Sequence, residues 1–344
     1  MKAPVPVVLM LALVSTLPVL SQRLKPNEFP TNIPGATTIA APQQGFDPLT
    51  ASDEDLSYNG FPPRPDQAAS PKAFASWVRA MNASKIRVTP NLKQTNRYSG
   101  PAKINKNASL SAGDAGALES FNWSGYVNLS GGSSYGKASF FYVTAEFLVP
   151  VASQPFGVCT GDWDYSVSWV GIDGWNSGDV LQAGFEDDAY CNGSTTSTFY
   201  SPWYEWYPNA WTNITNFPIA PGDEIFVVVW NSSATQGATY MVNENTEQAV
   251  EIGFTAPAGT SLVGNSAEWI VERPSISGSL ATMTNYVADP FWDASAATFY
   301  NSVVDPTSST SNSIIGLDNN AIADSYPTLL GSAAFLMQTE GSAH

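Results

Sequence analysis

The stretch 139-SFFYVTAEFLV-149 decides the fold class of this chain, because aromatic and β-branched residues favour β-strands. Similar short runs follow it, separated by Gly, Asn, Ser and Pro, at 165-YSVSWVGI-172, 224-EIFVVVW-230, 239-TYMVNE-244 and 267-AEWIVE-272. Such recurrence is typical of an antiparallel sandwich or barrel. We therefore expect a single all-β domain over residues 117–344.

The segment ahead of this domain has a different composition. Residues 22–116 are rich in Pro, Asn, Ala and Ser, and they contain one convincing helical pattern. Ser70 and Pro71 suit the cap and first turn of a helix, and apolar residues follow at helical spacing at Phe74, Trp77, Val78 and Met81. We expect a helix near residues 71–83 that clamps onto the β-domain, and a cleavable connection at residues 109–117.

Residues 1–21 have the pattern of a secretory signal peptide. Lys2 precedes an apolar run from Val7 to Leu20, with Val19 and Ser21 at positions that suit a signal peptidase. A membrane anchor is the alternative, but the run is shorter than the roughly 20 residues that span a bilayer. We expect a secreted, extracellular protein whose mature chain has no membrane partner.

Charge divides the chain near the same boundary. Twelve of the 14 Lys and Arg residues lie in the first 110 positions, together with six of the 30 Asp and Glu residues. The rest of the chain carries only two cations, Lys137 and Arg273, against 24 carboxylates. We expect residues 22–116 to be a basic propeptide that inhibits the acidic body intramolecularly and is released when carboxylates become protonated, at about pH 3 to 4.

The net charge of −16 and pI of about 4.2 argue against a nucleic-acid partner. The basic residues between Arg23 and Lys106 are no substitute for a basic surface, because they are dispersed and have no interleaved aromatic residues to stack on bases. We expect a monomer that binds no nucleic acid.

The two cysteines, Cys159 and Cys191, are the only ones in the chain. In an oxidising compartment we expect them to form a disulfide, with free thiols as the alternative.

Histidine content restricts the chemistry of the chain. The only histidine is the last residue, His344, so Ser-His-Asp and Cys-His catalysts and a His-ligated zinc site are not expected. No GxGxxG or Walker pattern is present, and we expect no cofactor. A calcium site at Asp187 and Asp188 is an alternative to a solvated acidic loop, which we favour, and we expect no metal. An enzyme of this composition must draw its acid and base from carboxylates, helped by amides or hydroxyls.

Three predicted strands carry carboxylates beside aromatic residues. Because side chains alternate along a strand, each strand places its carboxylates on one face and apolar bulk on the other. The pattern favours a sheet that faces a cleft, although packing alone explains any single aromatic residue. The residues sharing the carboxylate faces are Trp169, Gly171 and Asp173; Trp203, Glu205 and Tyr207; and Glu268, Ile270 and Glu272.

Seven strings, taken in order, closely resemble the glutamic peptidases (eqolisins), a family of secreted acid endopeptidases. The resemblance covers roughly residues 121–338 and is strongest over residues 122–272. The strings are 122-NWSGYV-127, 145-AEFLVP-150, 168-SWVGIDG-174, 180-VLQAGFE-186, 203-WYEWYP-208, 221-PGDEI-225 and 267-AEWIVE-272.

The resemblance implies a lectin-like sandwich of two antiparallel, seven-stranded sheets with a cleft on one of them. It assigns the catalytic pair to Gln182 and Glu272. The supporting cleft residues that it implies are Trp169, Asp173, Trp203, Glu205 and Tyr207.

These assignments agree with the chemistry of the residues. Glu272, desolvated in an aromatic cleft, suits a general base that later acts as general acid. The Gln182 amide suits orientation of a water and stabilisation of an oxyanion. Glu268 is the rival carboxylate, since it shares the face of Glu272 at a distance of roughly 13 Å along the strand.

The chain departs from the family pattern at three places. Ser201 stands where the family has an Asp, and Arg273 with Pro274 follows Glu272 where the family has acidic and aromatic residues. Neither cysteine matches the family's disulfide.

The expected function is that of a secreted acid endopeptidase, made as a zymogen and acting on proteins or peptides. A carbohydrate-binding, lectin-like protein and a two-carboxylate glycoside hydrolase are the alternatives. A basic inhibitory segment of about 90 residues favours the peptidase, because a lectin does not need to be silenced before export.

Overall fold

A computed structural model of the protein describes residues 27–106, 117–154 and 159–339. The expected signal peptide, most of the expected cleavable connection at 109–117, and His344 lie outside the described residues.

The N-terminal segment, residues 27–106, contains two helices and five short strands. These are β1 (Glu28–Pro30), β2 (Ala36–Ile39), α1 (Asp53–Tyr58), α2 (Pro71–Ala83), β3 (Ile86–Val88), β4 (Leu92–Gln94) and β5 (Arg97–Tyr98). Helix α2 occupies the residues at which the sequence predicts a helix, and it starts with proline in its first turn. Ser70 does not cap this helix with its side chain, since its Oγ lies 3.1 Å from Ser295 Oγ instead.

The body, residues 117–339, consists of strands and loops and has no helix among its described residues. This agrees with the expected all-β class. Its strands are β6 (Leu118–Ser120), β7 (Trp123–Asn128), β8 (Phe140–Leu148), β9 (Trp163–Asp164), β10 (Val167–Ile172), β11 (Val180–Cys191), β12 (Thr196–Tyr207), β13 (Thr212–Ile214), β14 (Glu224–Ser233), β15 (Gln236–Asn243), β16 (Gln248–Thr255), β17 (Ala267–Glu272), β18 (Ser275–Ile276), β19 (Ser279–Leu280), β20 (Ala288–Thr298), β21 (Val303–Val304), β22 (Ser311–Leu317), β23 (Ala323–Gly331) and β24 (Ala334–Thr339).

Two series of mainly antiparallel pairings organise these strands. The cleft series runs β22–β7–β17–β10–β11–β12–β13–β4. The second series runs β24–β20–β8–β14–β15–β16–β2–β1. Strand β23 pairs with both β22 and β24 and so joins the two series. The count of seven strands in each sheet stays a prediction, because strands of the N-terminal segment extend both series.

The main hydrophobic core contains side chains from both series, including Val170, Tyr204 and Trp269 of the cleft series and Val227 and Met241 of the second. The opposite face of the cleft series carries a separate apolar cluster that includes Trp169, Trp203 and Ile270. These memberships confirm the predicted alternation of faces along β10, β12 and β17.

The N-terminal segment covers the outer face of the second series. Leu56 of α1 and Trp77 of α2 are buried in one cluster with Phe226, Val228 and Tyr240 of the body. Strands β2 and β3 also pair with β16. Apolar burial and sheet hydrogen bonds therefore fix this part of the segment to the body.

Arg79 adds an ionic contact at the same interface. It lies 2.7 Å from the buried Glu146 and 2.5 Å from Asp293.

Cys159 and Cys191 form a disulfide, with Cα atoms 5.0 Å apart. The expected pairing is therefore confirmed, and it is typical of proteins from oxidising compartments. Within the described ranges, no helix has the length and apolarity needed to cross a membrane.

The end of the N-terminal segment crosses to the cleft series. Strand β4 pairs with β13, and β5 pairs with β18 just beyond β17. Residues 97–104, called the strap below, then lie against the aromatic cluster of this face, with Ala102 and Ile104 packed on it. The strap thus lies over the strands that carry the predicted catalytic residues.

Candidate active site

Glu272, the last residue of β17, is buried beneath the strap, with 1% of its surface exposed. Trp169 Nε1 donates a hydrogen bond to its Oε2 over 3.1 Å, and Asn122 Nδ2 donates to its Oε1 over 3.0 Å. Ser99 Oγ, from the strap, also donates to Oε2. The carboxyl group is therefore held by Trp169 of the neighbouring strand β10, by Asn122 just before β7, and by the strap.

Gln182 lies on β11, directly opposite Glu205 of β12. Its Nε2 donates to Glu205 Oε2 over 3.0 Å and to the backbone carbonyl of Ser99. With both amide hydrogens engaged, the carboxamide has one defined orientation. Its Oε1 lies 3.2 Å from Ser99 Oγ.

Ser99 connects the two halves of the site. Its hydroxyl contacts both Gln182 and Glu272, and its backbone N–H donates to Glu205 Oε2 over 2.9 Å. The residue is completely buried. Gln182, Glu205 and Glu272, which lie far apart in the sequence, therefore converge on a single residue of the strap.

A glycine in the middle strand, β10, leaves space for the Trp169 ring beside these side chains. Gly171 of β10 pairs with Gln182 on one side and with Glu268 on the other. A Cβ at Gly171 would lie 2.7 Å from the ring of Trp169, which is closer than carbon atoms approach. Glycine therefore lets the Trp169 ring lie on the sheet surface, from where its indole N–H reaches Glu272.

Burial controls the ionisation of both carboxyl groups. It raises the pKa of Glu272 to about 8, against the hydrogen bonds from Ser99, Asn122 and Trp169, which lower it. Burial also raises the pKa of Glu205 well above its usual value, and the neighbouring Glu272 raises it further. Both groups are therefore mainly protonated in acid while the strap is in place.

Arg97 fixes the strap at the far end of the cleft. Its guanidinium pairs with the buried Glu186 and lies 3.1 Å from Asp188. The same group lies over the ring of Tyr165, 4.9 Å from its centroid, and 5.7 Å from that of Trp211. Carboxylates and aromatic faces together form a cation-binding pocket.

Two further aromatic residues predicted for the cleft line this face. Trp203 is fully buried and stacks on Trp211 with ring centroids 5.2 Å apart. Tyr207 contacts Tyr98 of the strap edge-on at 6.4 Å. Tyr207 therefore contacts the strap directly, and Trp203 packs on Trp211, whose backbone N–H donates to the carbonyl of Arg97 over 3.1 Å.

Asp173, the remaining predicted cleft residue, has a different role. Its carboxylate accepts hydrogen bonds from the backbone N–H groups of Val263, Gly264 and Asn265 at 2.7 to 3.0 Å. Asp173 follows the end of β10 and has a positive φ of 70°, which takes its side chain out of the strand alternation. The structure therefore gives Asp173 the role of fixing the loop at residues 263–265, and not a place beside Gln182 and Glu272.

The rival carboxylate lies outside this constellation. Glu268 is fully buried beside Ser266 and Asp173, and burial raises its pKa well above the usual value. In the part of the chain that the structure describes, neither carboxyl oxygen of Glu268 hydrogen-bonds to Ser99, whereas Glu272 Oε2 does.

Two residues that depart from the family pattern, Arg273 and Ser201, lie close to the site in sequence but donate their hydrogen bonds to backbone carbonyls. Arg273 points away from Glu272 and donates to the carbonyls of Ala281 and Leu317 over 2.8 and 2.9 Å. Ser201 donates to the adjacent Pro202 carbonyl and lies opposite Glu186 on β11.

The calcium alternative is not supported by the geometry of the acidic residues. Asp188 points toward Arg97, whereas Asp187 lies near Asp289. In the described part of the chain, no group of three or more His, Cys, Asp and Glu residues is arranged to hold a metal ion.

Sequence reasoning missed four residues of this site. Asn122 and Glu186 each stand in one of the family strings without an assigned role, whereas Arg97 and Ser99 lie outside the strings. Nothing in the composition of the strap marks Ser99, because the segment has no regular periodicity.

Comparisons with known proteins identify the family of the chain. Residues 121–328 match the family model of the peptidase A4 family. The chain belongs to this family. It is therefore a glutamic-type endopeptidase, a hydrolase of peptide bonds, and the carbohydrate-binding alternative is not favoured.

Individual relatives of this A4 peptidase cover the same region. It is 34% identical to aspergillopepsin-2 of Aspergillus niger over 206 residues, which are 56% of this chain and 69% of the relative. A structure of scytalido-glutamic peptidase with a peptide-based transition state analog aligns with a TM-score of 0.51 and 26% identity, covering 63% of this chain and 98% of the other. A second structure of that peptidase, with a transition state analog inhibitor, is 24% identical at a TM-score of 0.52, covers the same shares, and supports the fold.

Proposed function

We propose that this A4 peptidase is made as a secreted acid zymogen in which Gln182 and Glu272 activate water. Residues 22–116 act as its propeptide and intramolecular inhibitor. The mature enzyme, residues 117–344, is a monomeric two-sheet sandwich that needs no cofactor or metal and binds neither nucleic acid nor membranes.

One observation carries this proposal. Gln182 and Glu272 both contact the same strap residue, Ser99, whose backbone carbonyl receives a hydrogen bond from Gln182 Nε2. A peptide carbonyl bonded by a fixed amide donor, next to a buried carboxyl group, is the arrangement that peptide hydrolysis requires.

The first chemical step uses both residues. In the mature enzyme, a water lies between Glu272 and Gln182 Oε1, and ionised Glu272 removes a proton from it as the oxygen attacks the peptide carbonyl carbon. Gln182 Nε2 donates to the carbonyl oxygen as it gains negative charge. Glu205 keeps the amide in the required orientation by accepting its other hydrogen.

The second step completes the proton transfer. Protonated Glu272 gives its proton to the leaving nitrogen as the carbon–nitrogen bond breaks, and so it returns to the ionised state. Trp169 and Asn122 hold the carboxyl group in place through both steps.

Release of the strap at low pH depends mainly on Arg97. Burial raises the pKa of Glu186 and Asp188, but Arg97 lowers both. By linkage, Arg97 binds the ionised pair more tightly than the protonated pair, so its hold on the cluster is present at higher pH and is lost as the pH falls. Glu272 acts in the opposite sense, because burial under the strap raises its pKa and protonation then favours the closed state.

The test compares the purified precursor with two variants at about pH 3 to 4. We expect the precursor to process itself and then hydrolyse a denatured protein. In Glu272→Gln the rate should fall roughly 100- to 10,000-fold, the range of general acid–base catalysis. In Gln182→Ala it should fall roughly 100- to 1,000-fold, as for loss of an oxyanion donor.

Glu268→Gln is the matched control, since it removes a buried carboxylate from the same face of the same strand. It should retain activity. Full activity in Glu272→Gln and Gln182→Ala would rule out the proposed pair.

A further inference from the structure

The hydroxyl of Ser99 lies at the point where a catalytic water must bind. Its Oγ is 3.2 Å from Gln182 Oε1 and within hydrogen-bond contact of Glu272 Oε2. A water held by the same two groups would lie at the same distances from them. Ser99 is completely buried, so bulk water does not reach its hydroxyl between these two groups.

The carbonyl of the same residue lies where a substrate carbonyl would be activated. Gln182 Nε2 donates to Ser99 O, and Glu205 receives the Ser99 backbone N–H at 2.9 Å. On the other side of the bond, Trp123 Nε1 donates to the carbonyl of Gly100 over 3.0 Å. Hydrogen bonds to the backbone groups on both sides therefore hold the Ser99–Gly100 peptide bond in the site.

Residues further along fix the direction of the strap. Asn122 Nδ2 donates to the carbonyl of Pro101 over 3.2 Å, and Ala102 N–H donates to the carbonyl of Gly174 over 3.1 Å. With Arg97 bound at the other end, the strap is anchored on both sides of the Ser99–Gly100 bond.

We propose that the Ser99 hydroxyl takes the place of the attacking water, so that a peptide with serine at this position followed by Gly-Pro binds as an inhibitor instead of a substrate. This inference rests on the proposed roles of Gln182 and Glu272. The site would therefore bind short peptides in which a serine hydroxyl, placed like that of Ser99, displaces the attacking water.

The chemistry explains why the bond survives. Hydrolysis requires a water oxygen to bond to the Ser99 carbonyl carbon, the bond to Gly100 N to break, and Glu272 to carry the water's proton to that nitrogen. With Oγ in place, the water is missing. Oγ cannot replace it as nucleophile, since attack on its own carbonyl carbon would close a strained four-membered ring.

The experiment uses the enzyme obtained by acid activation of the full-length precursor, together with synthetic peptides of residues 95–104. The native peptide should inhibit hydrolysis of a denatured protein and remain intact. The Ser99→Ala and Ser99→Gly peptides, which leave room for a water, should be cut between positions 99 and 100 at least about tenfold faster, a factor equal to one hydrogen bond of about 1.4 kcal/mol. Mass spectrometry of the products locates the cut.

A Tyr98→Phe peptide is the matched control, because it removes a hydroxyl from the adjacent residue. It should behave like the native peptide. In the full chain, the Ser99→Ala precursor should process itself at position 99, whereas the native precursor should not be cut there.

The outcomes separate this inference from the proposed function. Equal cleavage of the native and Ser99→Ala peptides at position 99, or an intact Ser99→Ala peptide while the denatured protein is hydrolysed, overturns the role of Ser99 alone. Loss of all hydrolysis, or full activity of Glu272→Gln, overturns the proposed function and this inference with it.

Discussion

Trp169 Nε1 lies 3.1 Å from Glu272 Oε2, so a ring on β10 holds a carboxyl group on the neighbouring β17. The ring is itself fixed by the edge of Trp123, at a centroid distance of 4.9 Å. Trp169 and Trp123, from the strands on either side of β17, therefore orient the proposed general base together with Asn122.

Replacing Trp169 by Phe should lower kcat roughly 10- to 100-fold, because the carboxyl group loses a charge-assisted hydrogen bond that orients it. Steady-state kinetics of the acid-activated enzyme on a protein substrate measure the change. Trp203→Phe is the comparison, since the indole N–H of Trp203 has no hydrogen-bond partner within the described structure. Equal losses of kcat in the two variants would contradict the orienting role.

Replacing Arg97 by Gln should move the midpoint of autoactivation to higher pH, by roughly one unit, because a charge-assisted contact of about 1.4 kcal/mol is lost. The midpoint is measured by following precursor processing across a pH series. Arg64→Gln serves as control, since its ion pair with Asp53 lies within the N-terminal segment. An unchanged or lower midpoint in Arg97→Gln would show that the strap is released by another group.

Replacing Asp289 by Asn should reduce the loss of stability that occurs as pH rises. Burial raises the pKa of Asp289 to about 8, against a hydrogen bond from Ser168 that lowers it. The folded state therefore binds a proton that the unfolded state has released. The stabilisation is complete below about pH 4 and is lost between about pH 4 and 8, by up to about 1.4 kcal/mol per pH unit.

Urea unfolding of the wild type and Asp289→Asn at about pH 4, 6 and 8 measures this difference. Asn keeps the size of the side chain and an acceptor for the Ser168 hydroxyl. Asp66→Asn is the surface control: hydrogen bonds from the backbone N–H groups of Ala69 and Ala68 lower the pKa of this exposed carboxyl group, so its removal should not reduce the decline above about pH 4. A parallel decline of wild type and Asp289→Asn would exclude Asp289 as its source.

Removing the disulfide by Cys159→Ser with Cys191→Ser should lower the free energy of unfolding by about 2 to 4 kcal/mol, because the cross-link closes a loop in the unfolded chain. The two cysteines are 32 positions apart. Cys191 lies roughly 30 Å along β11 from Gln182, so kcat at low temperature should be retained. Denaturant unfolding together with kinetics distinguishes the expected loss of stability from a loss of the site.

Much of the fold could be predicted from the sequence because strand alternation is a local property. The faces predicted for β10, β12 and β17 match the division between the main core and the cleft cluster. The short strands β1 to β4 were not predicted, since three or four residues carry too little periodicity to indicate a strand. They form by pairing with strands already in place: β2 and β3 pair with β16, β4 pairs with β13, and β1 pairs with β2.

The site was predictable only where a residue belongs to a recognisable string. Gln182, Glu205 and Glu272 were named in this way, and the structure brings all three to Ser99. Asp173 was placed in the cleft by the same means, but the chain leaves β10 one residue earlier and turns its carboxylate to a loop.

The sequence by itself determined the β-class, the faces of the central strands, the disulfide and the separation of a basic segment from an acidic body. These follow from local patterning and composition. Only the tertiary structure decided that Arg97 meets Glu186 and that Ser99 fills the space between Gln182 and Glu272. The physical reason is that the strap has no repeating pattern of its own, and hydrogen bonds and an ion pair to strands far along the chain hold its position.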